Sequence, residues 1–219
     1  MGENGAHGIT RLSGALSGRT RLNRARNRPS NAGRDAGPGR VRIVGGRWRG
    51  TRLDVPDVAG LRPTSDRVRE TLFNWLQPVL PGARVLDLFA GTGALGLEAV
   101  SRGAAGALLV ERDAALAAAL SATAARLAGG GAVEVRRGDA VTTAAALPPG
   151  SIDIAFVDPP FAHDLWTPAL TALEPALAAD AWLYLESPSA QPARPGAGWR
   201  LHRELGTREA HCALYRRAG

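Results

Sequence analysis

The sequence R-V-L-D-L-F-A-G-T-G-A-L-G occupies residues 84–96 and joins an apolar run to a glycine-rich loop. Residues 84–89 predict a buried β-strand, and the Ala- and Leu-rich residues 94–100 predict a helix. A strand, a tight glycine loop and a helix in this order are typical of nucleotide-binding units in α/β proteins. The G-x-G-x-x-G spacing is provided by Gly91, Gly93 and Gly96.

Strands and helices alternate along the chain on the C-terminal side of this unit. Such alternation predicts an α/β fold with a parallel sheet and helices on both faces. Two final runs, 199–204 and 208–215, predict an antiparallel hairpin at the sheet edge. The further strands are predicted at 107–111, 133–136, 152–157 and 182–186, and the further helices at 113–127 and 165–177.

Composition divides the chain into three parts. Residues 1–39 lack apolar periodicity and predict a disordered basic tail, although a transit peptide or a start site placed too far upstream would look similar. Residues 40–80 predict a small β-hairpin around Gly45-Gly46, followed by a helix capped within residues 64–66. The arginines of the hairpin alternate with Val41, Ile43 and Trp48, so one face is expected to pack and the other to meet phosphate. Residues 81–219 predict the α/β domain.

Positive charge is concentrated near the N-terminus, within a net charge of +7 in which no residue is Lys. Residues 1–39 carry seven Arg against two acids, and residues 40–69 carry eight against three. This asymmetry indicates a polyanionic partner, nucleic acid before membrane, with a solvated charged face as the alternative. Arg62, Arg67 and Arg69 lie around the first turns of the predicted helix, where Arg is unfavourable for the helix dipole, and this mismatch suggests an anionic ligand there. The candidate RNA-binding residues are Arg42, Arg47, Arg49, Arg52, Arg62 and Arg67.

Several classes of protein are disfavoured by the composition. No apolar run approaches the roughly 18 residues of a membrane span, and no secretory core is visible near the start. The single cysteine, Cys212, has no partner for an internal disulfide, and four scattered histidines form no metal-ligand pattern. The sequence therefore predicts a cytoplasmic protein without membrane attachment or metal, expected to be a monomer.

A second functional motif, Asp158-Pro159-Pro160-Phe161, follows the predicted strand 152–157. In an open α/β sheet, ligands bind at the carboxyl ends of the strands. Two prolines remove two backbone donors, so this corner offers a carboxylate, carbonyl oxygens and an aromatic ring. Such a corner suits a flat base with an exocyclic amine, although Asp-Pro is also ordinary turn chemistry.

Two cofactors are compatible with the glycine loop. Glu111 lies twenty residues after Gly91, which is the dinucleotide fingerprint and favours NAD. Asp87 before the loop suits a cofactor that carries an ammonium and no pyrophosphate, and Asp139 after the third strand can meet an adenine edge. Together with the Asp158-Pro159-Pro160-Phe161 corner, these acids favour S-adenosylmethionine. The candidate cofactor-binding residues are Asp87, Phe89, Gly91, Gly93, Glu111 and Asp139.

These motifs resemble a known family. D-L-F-A-G-T-G from Asp87, E-R-D from Glu111, G-D from Gly138 and D-P-P-F from Asp158 look like a class I amino-methyltransferase. L-R-P-T-S-D-R-V-R-E-T-L-F-N-W-L from Leu61 is similar to the RsmD family, and the match runs from about residue 40 to residue 215.

The resemblance implies a Rossmann-like, seven-stranded, mostly parallel sheet whose last strand is antiparallel. It also implies methyl transfer from S-adenosylmethionine to N2 of one guanine in bacterial 16S ribosomal RNA, with the RNA or a small-subunit assembly intermediate as partner. Asp87 and the glycine loop would hold the methionine part, Glu111 the ribose and Asp139 the adenine. Residues 40–80 would then bind RNA and residues 81–219 would form the methyltransferase domain.

The chemistry of the guanine N2 amine suggests a mechanism for methyl transfer. Asp158 and the Pro159 carbonyl would accept the two N2 hydrogens, and Phe161 would stack on an unpaired or flipped base. The alternatives are an amino-methyltransferase acting on DNA or another RNA, an NAD-dependent oxidoreductase, and a non-catalytic RNA binder in ribosome assembly. The sequence leaves open whether the substrate would be naked RNA or the assembled subunit.

Overall fold

The structure is a computed structural model that describes residues 40–54 and 64–218. The predicted tail at 1–39 and the candidate Arg62 lie outside these residues. The strands are β1 (Arg40–Arg42), β2 (Arg52–Asp54), β3 (Arg84–Asp87), β4 (Gly106–Glu111), β5 (Val133–Arg137), β6 (Ile152–Val157), β7 (Leu177–Pro188), β8 (Trp199–Gly206) and β9 (Ala210–Arg217). The helices are α1 (Asp66–Leu76), α2 (Ala94–Ser101), α3 (Ala114–Arg126), α4 (Ala140–Ala145) and α5 (Trp166–Leu173).

Seven of the strands form one sheet in the order β5-β4-β3-β6-β7-β9-β8. The first five in this order pair in parallel, whereas β9 pairs antiparallel with both β7 and β8. The final strand is thus the one that runs against the others, and the predicted Rossmann-like fold class is confirmed.

Alternating side chains on the central strands fill two separate cores, one on each sheet face. On one face Phe73 of α1 lies 6.0 Å from Phe156, which lies 6.1 Å from Tyr184, measured between ring centroids. Buried residues of the β1–β2 hairpin belong to this same core. On the other face Leu86 and Leu183 are buried in the core that includes α4 and α5.

The N-terminal hairpin differs from the prediction in its connection. Val41 pairs with Leu53, and both are buried, so the predicted packing face is confirmed. Gly45-Gly46, however, does not form a tight turn, because the second strand begins only at Arg52. The glycines instead approach the end of α2, where the Ser101 hydroxyl donates to the Gly45 carbonyl (2.7 Å). A Cβ at Gly46 would collide with the Ser101 backbone, so close approach explains this glycine.

Helix α1 begins as the sequence predicts but uses Arg69 in another way. The Ser65 hydroxyl accepts from the Val68 N–H and caps the helix. Arg69 is fully buried and forms ion pairs with Glu98 (3.0 Å) and Asp66. The Arg69 charge is balanced within the protein, so Arg69 does not contribute to the anion site suggested for Arg62, Arg67 and Arg69.

Three elements on the C-terminal side also differ from prediction. Helix α4 was not predicted, and the helix predicted over 165–177 consists of α5 and a single 3₁₀ turn at Glu174–Ala176. Pro175 lies in the first turn of that 3₁₀ segment, where its missing N–H is tolerated. Strand β7 starts directly afterwards and is longer than predicted. Across the described ranges, none of the helices has the length and apolar character needed to cross a membrane.

Candidate active site

The candidate site lies where the order of the strands reverses. From β3 the chain builds outward to β4 and β5, then returns to place β6 on the other side of β3. Asp87 ends β3 and Asp158 directly follows β6, so both carboxyl groups lie at this switch point. Open α/β sheets bind ligands in the crevice formed there.

The glycine loop between β3 and α2 has the tight geometry that its sequence predicts. Gly93 adopts a left-handed conformation (φ 73°) and caps α2, and a Cβ at this position would collide with the Leu120 side chain. The N–H of Gly96 donates to the Asp87 carboxylate (2.9 Å). Asp87 therefore ties the first turn of the helix to the end of β3.

Glu111 fixes the other side of the same loop. One of its carboxylate oxygens accepts from the Gly91 N–H (2.8 Å) and the other from the Asp113 N–H (2.7 Å). Its side chain is partly exposed, and each oxygen retains a further lone pair for a ligand hydroxyl. The geometry gives Glu111 a structural contact that the sequence alone did not reveal, beside the predicted contact with the ribose.

Burial changes the pKa of both carboxyl groups at the switch point in the same direction. Burial raises the pKa of Asp87 to about 7, against the opposing effect of its hydrogen bond from Gly96. Burial also raises the pKa of Asp158 well above its usual range, and the charges of Glu186 and Asp87 add to the effect. A positively charged ligand would stabilise the ionised forms of these groups. The ammonium and sulfonium of S-adenosylmethionine fit this requirement, whereas the pyrophosphate of NAD does not.

The residues after Asp158 form a corner with one buried and one exposed proline. Pro159 is buried, Pro160 is exposed, and the Phe161 ring is partly buried. The Phe161 and Trp166 ring centroids lie 6.0 Å apart with an interplanar angle of 46°. Trp166 thus supports one side of Phe161, and the ring still has exposed surface on which a base could stack.

Asp139 and Phe89 lie at the same edge of the sheet. Asp139 follows β5 and caps α4 by accepting from the Thr142 N–H (2.9 Å). This hydrogen bond lowers the pKa of Asp139, whose carboxylate is exposed. Phe89 follows β3 and packs against the core on the α4–α5 face. Asp87, Phe89, Glu111, Asp139 and Asp158 are therefore brought to one edge, as the strand-end pattern predicts.

Three residues of this corner were not found from the sequence. The Thr64 hydroxyl donates to Glu186 (3.1 Å), and the Tyr184 hydroxyl donates to the same Glu186 oxygen (2.9 Å). Glu186 and Tyr184 lie two residues apart on β7, and Thr64 precedes the cap of α1. Only the position of Glu186 near the end of a predicted strand hinted at its presence here.

The candidate RNA-binding arginines are exposed wherever the structure describes them. Arg42 forms an ion pair with Asp66 (3.0 Å), and the Arg47 guanidinium lies 4.6 Å from the Trp48 ring centroid. Arg49 and Arg52 are exposed on the hairpin, and Arg67 is exposed on α1. Within the described ranges, no group of three or more His, Cys, Asp or Glu side chains could hold a metal ion.

Structural similarity gives the class of protein first. The proposed methyltransferase yhhF of Escherichia coli shares the fold with a TM-score of 0.73 and 47% sequence identity, over 82% of this chain and 98% of that one. The fold and its crevice are those of a Rossmann-like methyltransferase.

Sequence similarity then gives the particular family. The model of the family described as conserved hypothetical protein 95 matches residues 41–216. Ribosomal RNA small subunit methyltransferase D of Escherichia coli is 48% identical over 83% of this chain and 92% of its own length. The protein of that name from Haemophilus influenzae is 36% identical over 81% and 94%. The chain belongs to the RsmD family, and this prediction is confirmed.

Proposed function

We propose that this protein transfers a methyl group from S-adenosylmethionine to the exocyclic N2 of a specific guanine in bacterial 16S ribosomal RNA. The observation that carries the proposal is the corner formed by Asp158, Pro159 and Phe161 beside the glycine loop. Relatives named ribosomal RNA small subunit methyltransferase D support the class of substrate. The acceptor groups of the corner support an amine as the methyl acceptor.

The cofactor would lie along the carboxyl edge from β5 to β3. Asp87 and the backbone of the glycine loop would hold the methionine part, Glu111 the ribose hydroxyls and Asp139 the adenine edge. Phe89 would contribute apolar surface beside them. S-adenosylmethionine supplies, when bound, a methyl group on a positively charged sulfur, which is open to attack by a nucleophile. No metal is part of the proposed chemistry.

Asp158 and Pro159 would act on the guanine. The N2 lone pair is delocalised into the ring, so the amine is a poor nucleophile until its hydrogens are held out of the ring plane. The Asp158 carboxylate and the Pro159 carbonyl would each accept one N–H, while Phe161 stacks on the base. The N2 lone pair would then be free to form the new N–C bond, with the S–CH₃ bonding pair left on the donor sulfur, and Asp158 would accept the N2 proton that is released.

The rest of the rate acceleration would come from positioning the guanine relative to the methyl donor. A guanine in a duplex hides its amine, so the base has to be unpaired or flipped into the crevice. Holding the amine in line with the methyl group accounts for much of the acceleration. Arg42, Arg47, Arg49, Arg52 and Arg67, with Arg62 outside the described residues, would contact RNA phosphates. We propose residues 40–80 as the RNA-binding segment and residues 81–219 as the catalytic domain of a monomer.

Two measurements test the proposal. Calorimetric titration with S-adenosylmethionine and with NAD should give binding of the first alone, and binding of NAD alone would favour an oxidoreductase. Transfer of labelled methyl should then be mapped on naked 16S ribosomal RNA, on small-subunit assembly intermediates and on DNA. Methylation of guanine N2 in ribosomal RNA is expected. A protein that binds the RNA and the cofactor without transferring methyl would be a non-catalytic assembly factor.

A further inference from the structure

A buried hydrogen-bonded group lies behind Asp158. The carboxylate of Glu186 accepts from the Thr64 hydroxyl (3.1 Å) and from the Tyr184 hydroxyl (2.9 Å) at the same oxygen. Thr64 and Glu186 are each 9% exposed, and Tyr184 is fully buried. The backbone carbonyl of Glu186 also accepts from the Trp166 indole N–H (2.8 Å). Both the carboxylate and the backbone of Glu186 are therefore fixed.

Thr64 connects this group to Asp158. Asp158 and Glu186 directly follow Val157 and Leu185, which pair across β6 and β7, so the two acids lie side by side at the strand ends. Interaction with the Thr64 hydroxyl lowers the pKa of Asp158, against the larger opposite effects of burial and of Glu186. A hydroxyl has one hydrogen and donates to one carboxylate at a time. When Thr64 donates to Glu186, it contacts Asp158 only as the acceptor from a protonated carboxyl. When Thr64 donates to Asp158, the Tyr184 hydroxyl still satisfies Glu186.

The charges around Asp158 are those of two other carboxyl groups. Glu186 on β7 and Asp87 on β3 both raise its pKa. Tyr184 and Cys212 also face the group, but burial raises the pKa of Tyr184 well above its usual range and that of Cys212 to about 12. Both are therefore neutral at physiological pH. Glu186 is the larger of the two electrostatic influences on Asp158, after burial itself.

We propose that Glu186 and Thr64 are positioning residues for methyl transfer. Thr64 orients the Asp158 carboxyl group towards the guanine amine, and the Glu186 charge makes Asp158 a better acceptor for the proton that leaves N2. The inference rests on the proposed function. The proton balance closes because Asp158 begins as the carboxylate, takes the N2 proton as the N–C bond forms, and returns it to solvent after the product leaves.

The first test uses Glu186→Gln, which removes the charge of Glu186 and keeps the shape of its side chain. The Asp158 carboxyl carbon is followed by ¹³C NMR titration of the cofactor-free protein, with its signal assigned from Asp158→Asn. The Asp158 pKa is expected to fall, because a neighbouring negative charge has been removed. The acid limb of the single-turnover rate should move to lower pH in the same direction. Glu134→Gln, an exposed carboxylate on β5, is the matched control and should change neither quantity.

The second test removes the Thr64 hydroxyl. Thr64→Val should lower the single-turnover rate roughly 10- to 150-fold at unchanged cofactor affinity, the range for a hydrogen bond to a charged group. Thr64→Ser should restore most of that rate. Thr123→Val, a buried threonine on α3, is the control for the loss of a hydroxyl. Circular dichroism melts verify that each variant is folded.

The outcomes separate this inference from the proposed function. Wild-type protein that fails to methylate guanine N2 refutes the proposed function, and the NMR titration still tests the coupling of Glu186 to Asp158. An unchanged Asp158 pKa in folded Glu186→Gln would overturn the inference. If Glu186→Gln does not fold, a wild-type rate in Thr64→Val overturns it instead.

Discussion

Glu111 and Asp158 are both carboxylates at strand ends, but their neighbours give them different roles. Glu111 accepts two backbone N–H groups of the glycine loop and is partly exposed towards the crevice. Asp158 lies beside other carboxyl groups and has a raised pKa. A carboxylate held by the glycine loop suits cofactor binding, and the raised proton affinity of Asp158 suits proton transfer. Substitutions at these two positions should therefore affect different steps.

Glu111→Ala should weaken cofactor binding. It removes charge-assisted hydrogen bonds worth about 1.5 to 3 kcal/mol, which corresponds to a dissociation constant for S-adenosylmethionine raised roughly 10- to 150-fold. Calorimetry measures this constant, with Glu134→Ala on β5 as the control. Wild-type affinity in Glu111→Ala would remove Glu111 from the cofactor site.

Asp158→Ala should leave the cofactor dissociation constant nearly unchanged and reduce turnover at saturating cofactor and RNA. The reason is that Asp158 acts on the amine in the transition state, not on the bound cofactor. Asp158→Asn keeps an acceptor oxygen and should retain more activity than Asp158→Ala. Single-turnover methyl transfer compares the three proteins. A wild-type rate in Asp158→Ala would show that the Asp158-Pro159-Pro160-Phe161 corner is only a structural turn.

Asp87 should make the stability of the cofactor-free protein depend on pH. Its pKa is about 7 in the folded protein against an ordinary value of 3.8. The folded state thus binds this proton more tightly, so the stabilisation is fully present below about pH 4 and is lost as the pH rises to about 7. Asp87→Asn should lack this loss, which is on the order of 4 kcal/mol for a pKa that rises from 3.8 to about 7. Urea denaturation between pH 4 and 8 compares the two proteins, and parallel pH profiles would contradict the prediction.

The sequence predicts strand-end acids better than it predicts the residues that contact them. Asp87, Glu111 and Asp158 each follow an apolar run, and local periodicity locates such positions. The bond between Thr64 and Glu186 joins residues 122 positions apart. No local pattern encodes such a pair, because the contact depends on how α1 packs against the sheet.

The N-terminal hairpin shows which features of a secondary-structure element the local sequence predicts and which it does not. The alternation of apolar residues predicts its buried face, since that period belongs to the strand itself. Its connection was predicted wrongly because Gly45 and Gly46 serve contacts with α2, which lies far along the sequence. Helix α4 was missed for a related reason: six residues are too few to display a helical period.

The exposed arginines of the hairpin should contribute to RNA affinity. Replacing Arg47 and Arg49 by Ala should weaken RNA binding and lower the slope of log affinity against log salt by roughly 0.7 to 0.9 per lost phosphate contact. Titrations at several salt concentrations measure the slope. The control replaces Arg194 and Arg208, which are exposed elsewhere on the protein. Equal slopes in wild type and the hairpin variant would assign Arg47 and Arg49 to a merely solvated face.

For the molecule as a whole, sheet topology follows from the alternation of strands and helices. Parallel neighbours need crossover helices, and right-handed crossovers leave few possible strand orders. The two cores and the carboxyl-edge crevice then follow from the sheet. The sequence of residues 1–39 has no apolar periodicity of the kind that forms a core.

Removal of residues 1–39 should therefore leave the melting temperature and the affinity for S-adenosylmethionine unchanged. Differential scanning calorimetry and cofactor titration of the full chain and of the chain starting at residue 40 provide the comparison. A clear drop in melting temperature would mean that the tail docks on the folded domain.

The position of β9 between β7 and β8 affects how the chain folds during its synthesis. Among the strands that the structure describes, β8 pairs with β9 alone, and β9 also pairs with β7. A ribosome therefore releases β8 before the strand that attaches it to the sheet has been made. Until β9 emerges, β7 is an uncovered sheet edge and β8 is an unpaired segment, both open to association with other nascent chains. Chaperone binding to nascent chains should accordingly persist until β9 has left the exit tunnel.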